Sequence, residues 1–159
     1  MLLKRALEEL HVQRHEVHNM DFICDLGAGL VAMGEHEEAL ALTLKAIEVQ
    51  RRGERLLYLP ALLRMRGLIL ASRSAKDYVE AEESLLLAID WSKRQFATLL
   101  ELTAAADLAE LLQKQGRMPE AYDYLSAAFD RMPARIISPA HERARKILDR
   151  LQSGINPVG

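Results

Sequence analysis

One spelling occurs three times in this chain, and its spacing limits what the chain can fold into. In GRMPEAYDYLSAAFDRMP, residues 116–133, the positions of Gly116, Ala121, Leu125 and Ala128 recur upstream as Gly34, Ala39, Thr43 and Ala46. They recur again as Ala81, Leu85 and Ala88, with Lys76 where the glycine would stand. Ahead of each copy lies a second pattern: Leu26, Gly27 and Leu30; Arg66, Gly67 and Leu70; Leu108, Ala109 and Leu112. The unit is therefore a pair of helices, A then B. A small residue in A and an alanine in B mark where two axes approach closely, since a larger side chain would push them apart. The equivalent alanines are 42 and then 40 residues apart, a period that signals stacked helix pairs. Arg66, at a leucine position, makes the second copy the most divergent.

The register extends to both ends. One period back from Thr43 and Ala46 stand Leu3 and Ala6, so residues 1–17 read as a half-repeat: a helix B whose helix A is absent. One period forward from Leu108 stands Leu148, within SPAHERARKILDRL. There Ser138 is a natural N-cap and Pro139 suits the first helical position. This capping helix, 138–152, is expected to turn Ile147, Leu148 and Leu151 inward and Arg143, Lys146 and Arg150 outward, which gives a solenoid the polar end it needs. The complete repeats are then 18–55, 56–95 and 96–133, in one domain of residues 1–152, and residues 153–159 are expected to be a disordered tail.

Composition excludes several classes of function. Half of the 159 residues are apolar but only 5% are aromatic, and 21 basic residues balance 23 acidic ones for a formal charge of −2. That favours an all-α chain and gives no field to hold nucleic acid or an anionic membrane. The lone Cys24 rules out an internal disulfide and fits a reducing, cytoplasmic setting. No apolar run approaches the ~18 residues of a membrane span, and the opening residues are too polar for a signal peptide.

The Leu-Gly, Gly, Ala, Ala, Pro succession, matched by Leu108, Ala109, Gly116, Ala121, Ala128 and Pro133, resembles the tetratricopeptide repeat in a form longer than usual. Two stretches, YLPALLRMRGLILAS and LAELLQKQGRMPEAYDYLSAAFDRM with the later SPAHERARKILDRL, resemble something narrower. They are similar to the C-terminal repeat region of bacterial signal-transduction ATPases and of adenylate cyclase-like or winged-helix transcriptional regulators. The resemblance implies a right-handed solenoid of three long helix pairs, with a half-repeat at each end. It also implies a regulatory arm that binds a protein or peptide rather than a catalyst. A small-molecule sensor and a self-assembling scaffold are the alternatives.

No P-loop, no Gly-x-Ser-x-Gly elbow and no His-Glu-x-x-His occurs, so neither enzyme nor cofactor is expected. His11 and His15 share a helix spacing that suits metal ligands, but no third ligand accompanies them, and no metal is expected. Paired acids such as Glu82 and Glu83 point about 100° apart on a helix and cannot share a substrate. Trp91, Phe96 and Phe129 are expected at packing interfaces. The repeat resemblance places a concave face on helix A: Asp21, Cys24, Ala28 and Val31; Ala61, Arg64, Leu68 and Ala71; Thr103, Ala106, Glu110 and Gln113. Of these, Asp21, Cys24, Arg64, Leu68, Thr103, Glu110 and Gln113 are the candidate binding residues. Cys24, Ala28 and Ala106 stand where a carboxylate clamp would need donors, so capture of a C-terminus is not expected. Arg64 is the strong donor of the face, able either to fork onto a partner's anion or to pair with a neighbouring acid such as Glu110. A homodimer through the N-terminal half-repeat would cover Leu3, Ala6 and Leu10.

Overall fold

The computed structural model describes residues 18–53, 56–133 and 138–155, with side chains from residue 23 onward, and the described residues form seven helices joined by tight turns. They are α1 (His18–Ala32), α2 (His36–Arg52), α3 (Leu59–Arg73), α4 (Tyr78–Arg94), α5 (Thr98–Lys114), α6 (Met118–Asp130) and α7 (Pro139–Ile155). Single 3-10 turns at Leu56–Tyr58 and Ala75–Asp77 lead into α3 and α4. The described residues contain no strand. The expected half-repeat at 1–17, with Leu3, Ala6, Leu10, His11 and His15, lies outside the described residues. The last helix runs three residues past its expected end, to Ile155.

The helix stops follow from local chemistry. Gly34 and Gly116 take φ of 82° and 78°, a left-handed conformation that glycine adopts without a Cβ penalty. Each stop lets the next amide close back on the helix: Glu35 N–H donates to the Leu30 carbonyl and Arg117 N–H to the Leu112 carbonyl, both at 2.9 Å. At the start of α7 the Ser138 hydroxyl accepts from the His141 amide at 3.2 Å, the cap its sequence predicts.

Every helix lies against the next in the chain, as the short connections at 33–35, 95–97 and 115–117 require of the pairs they join. In addition α1 touches α3, α3 touches α5 and α5 touches α7. The A helices thus form a continuous row, with the B helices α2, α4 and α6 packed along it. The recurring small residues sit where this packing is tightest. Ala39, Ala81, Ala109 and Ala121 are all fully buried. A methyl on Gly67 would come within 2.7 Å of Leu85 Cγ and 3.1 Å of the Ala81 carbonyl oxygen, so α3 and α4 cross where only glycine fits. Gly27 is less constrained: a methyl there would lie 3.4 Å from the Met65 sulfur on the next A helix, an ordinary contact.

Helix α5 is the centre. It is packed by α3, α4, α6 and α7, so Leu102, Ala104, Ala105, Ala106, Leu108, Ala109, Leu111 and Leu112 are all buried. A helix surrounded on most sides is apolar on most sides, and this explains three consecutive alanines in TAAADLA. Thr43 occupies the core position held by Leu85 and Leu125 in the other copies. Its hydroxyl is satisfied by the Ala39 carbonyl at 2.8 Å, which removes most of the penalty for burying it. Trp91 and Phe129 pack against the core, and the Phe129 ring stacks on His141 at 4.4 Å. Phe96 does not: it is 91% exposed, because the turn that ends α4 swings it out of the interface its sequence position suggests. No helix among the described residues is long and apolar enough to cross a membrane.

Candidate functional site

Two buried carboxylates lie in α5, the most buried helix, and each is met by arginine from neighbouring parts of the fold. Glu101, in the first turn of α5, accepts from Arg131 just beyond α6, whose Nε lies 2.8 Å away and whose terminal nitrogen also reaches it. Asp107, in the middle of α5, has a side chain only 2% exposed. Its Oδ2 accepts from Arg64 Nε at 2.5 Å and its Oδ1 from an Arg143 terminal nitrogen at 2.7 Å. That Arg143 nitrogen also donates to Glu110 Oε2 at 2.7 Å, and Arg150 stands 3.8 Å from the other Glu110 oxygen. A buried carboxylate without such partners would be strongly unfavourable; here one anion fastens α3 and α7 to α5 at once. Burial pushes the Arg143 guanidinium down, but the charge and hydrogen bond of Asp107 and Glu110 outweigh it, and its pKa lies above the ordinary arginine value.

This ion-pair chain runs across the row of A helices and ends in an open groove of about 320 Å³ between α5 and α7, lined by Glu110, Glu142, Arg143, Lys146, Ile147 and Arg150. Lys146 makes no ion pair among the described residues, and three cations face two acids there. A second open groove, about 430 Å³, lies between α4 and α6 and is lined by Lys93, Glu120, Asp123, Tyr124 and Arg131.

The expected concave set is only partly brought together. Arg64 and Glu110 join one network through Asp107 and Arg143 rather than pairing directly. Leu68, Thr103 and Gln113 are half-buried on the A helices, and Thr103 spends its hydroxyl on the Leu100 carbonyl at 2.9 Å. Cys24 is half-buried against the apolar core. Ala106 is buried rather than on a surface, because α5 is enclosed on the side where the repeat pattern places a groove. The side chain of Asp21 lies outside the described residues. Arg143, expected to point outward, instead turns to Asp107 and Glu110 of α5, whereas Arg150 is exposed as expected, 3.8 Å from Glu110. Arg64 serves the fold as well: reversing it to glutamate would set a carboxylate against buried Asp107.

Asp107 as the partner of Arg64, and Arg143 beside it, are what the sequence reading missed. The signal was present as an acid set inside the apolar AAADLA stretch of α5, and as Arg143, Ile147 and Arg150 on one face of α7. Outside this network, Arg73 bridges Asp77 at 2.8 Å and Glu37 at 3.0 Å, and Arg117 reaches Glu82 and Glu120, both at 2.6 Å. The hydrogen bond from Arg73 holds the Asp77 carboxyl below the ordinary carboxylate range, and that from Arg117 does the same to Glu120. Arg66, the departure from the repeat pattern, reaches across to Ser84 and Glu80 on α4. It therefore joins helices through charge where its counterparts use leucine.

No protein-family model, curated protein or solved structure matches this chain.

Proposed function

We propose that this protein is a non-catalytic, tetratricopeptide-like interaction module that docks an anionic protein segment along its row of A helices. The observation that carries the reading is the α5–α7 groove, where Lys146, without an ion pair among the described residues, stands beside Arg143 and Arg150. An open, charged groove suits an extended segment better than a metabolite, which needs an enclosed and largely apolar cavity. The A-to-A contacts support a right-handed repeat solenoid. The resemblance of the second and third repeats to regulator arms supports a place in a bacterial signal-transduction or transcriptional-regulator protein of the cytoplasm. A homodimer through residues 1–17 belongs to the same proposal.

Photo-crosslinking tests it. A benzophenone amino acid is placed at Lys146 in the groove or at exposed Lys45 on α2. A protein partner captured from Lys146 and not from Lys45 supports the reading. Capture from Lys45 alone would move the binding surface to the B helices.

A further inference from the structure

Phe96 breaks two rules at once. Its φ is 55°, a left-handed conformation that is strained for a bulky residue with a Cβ. The other two positive-φ residues among those described are glycines, Gly34 and Gly116. Its ring is 91% exposed, so packing within the chain does not offset the strain. The stop itself is regular: Phe96 N–H donates to the Lys93 carbonyl at 3.1 Å and Ala97 N–H to the Ser92 carbonyl at 2.9 Å. Glycine would make the same closure without strain, so the phenylalanine serves something other than the fold.

Its neighbours share the edge. Gln95 Nε2 donates to the Leu56 carbonyl at 2.6 Å and holds the entry to α5 beside the entry to α3. At these entries Leu57 is 67% exposed and Leu99 46%. The last turns of α2 and α4 lead into the same connections. There Glu48 is taken by Arg52 at 2.5 Å and Asp90 by Arg94 at 2.7 Å. Exposed Arg51 and Lys93 are left without an ion partner among the described residues.

We propose that this edge docks an acidic segment of another protein. Phe96 and Leu57 take apolar side chains of that segment, and Arg51 and Lys93 take its carboxylates. Charge selects the occupant. In an isologous contact a second copy would bring the same cations against these. A chain of formal charge −2 has no long-range attraction to an anionic bilayer. The entries to α3 and α5 belong to adjoining helices about 10 Å apart, a distance that three residues of extended chain span.

The probe is a fluorescein-labelled twelve-residue peptide with leucine at every third position and aspartate or glutamate between, titrated against the full chain by anisotropy. Phe96→Gly should weaken binding at least tenfold while leaving the melting temperature unchanged or higher, because it relieves the strain. Lys93→Glu should also weaken binding, whereas Lys146→Glu, in the α5–α7 groove, should not. Absence of binding by the wild type, or equal binding of a peptide with lysines for its acids, would overturn the proposal. So would a lower melting temperature for Phe96→Gly, which would place the ring in the fold. Loss confined to Lys146→Glu would assign the peptide to the α5–α7 groove, supporting the proposed function and sinking this edge. Phe96-dependent binding to phosphatidylserine vesicles without peptide binding would make the edge a membrane contact. A dimer seen by light scattering and abolished by Phe96→Gly would make it a self-association surface.

Discussion

Ala121 shows what a single position can impose. It is fully buried on α6, where a larger side chain has to displace packed neighbours. Ala121→Glu would both overpack that site and bury a carboxylate with no partner, and should cost several kcal/mol, on the order of 3 or more. The adjacent Glu120 gives the comparison. Its side chain is about half exposed and its ion pair is an i,i+3 pair with Arg117, the residue that caps the start of α6, so Glu120→Ala should leave stability nearly unchanged. Thermal unfolding of the two variants reads the difference, and equal small losses would mean that the recurring alanines do not mark helix crossings. These small residues were legible because packing acts locally and repeats with the period. Phe96 was not: the same aromatic residue fits a core pattern or an exposed turn, and only the backbone conformation decides between them.

At the scale of elements, the fastening of α3, α5 and α7 rests on Asp107. The helices themselves could be read from glycines, caps and apolar spacing, down to Ser138 at the start of α7. The ion pairs could not, because they join residues 36 and 43 positions apart, and a helix pattern carries no information about which charge meets which across a repeat. It also drew the groove on a generic repeat, in which α5 is less enclosed than here, and so put Ala106 on the surface. Asp107→Ala should destabilise by roughly 2–3 kcal/mol, somewhat below the loss expected on breaking a fully buried pair, because Arg64 and Arg143 remain about a third exposed and water can replace part of what is lost. Once Asp107 is gone, Arg64→Ala should add little, since its partner is already missing. A double-mutant cycle in urea measures this coupling, and strict additivity would mean that the pair does not fasten the helices.

For the whole molecule, the described helices are joined through neighbours: each touches the next, and each A helix touches the following one. Stability in such an arrangement is approximately a sum of local terms and interfaces, so opening should start at the ends and spare the middle. The same arrangement presents two separate surfaces, the α5–α7 groove with Lys146 and the edge with Phe96, so that one can be altered without the other. Repetition could be read from sequence because it needs only spacing, whereas the occupants of those surfaces leave no periodic trace in this chain. Residue-resolved native-state hydrogen exchange is the most direct test of the stacked-pair architecture on which both surfaces depend. The account predicts the greatest protection in α5, the helix packed by four others, with protection falling stepwise through α3 to α1 on one side and to α7 on the other. A single opening free energy shared by every helix from α1 to α7, or greatest protection in α1, would contradict it.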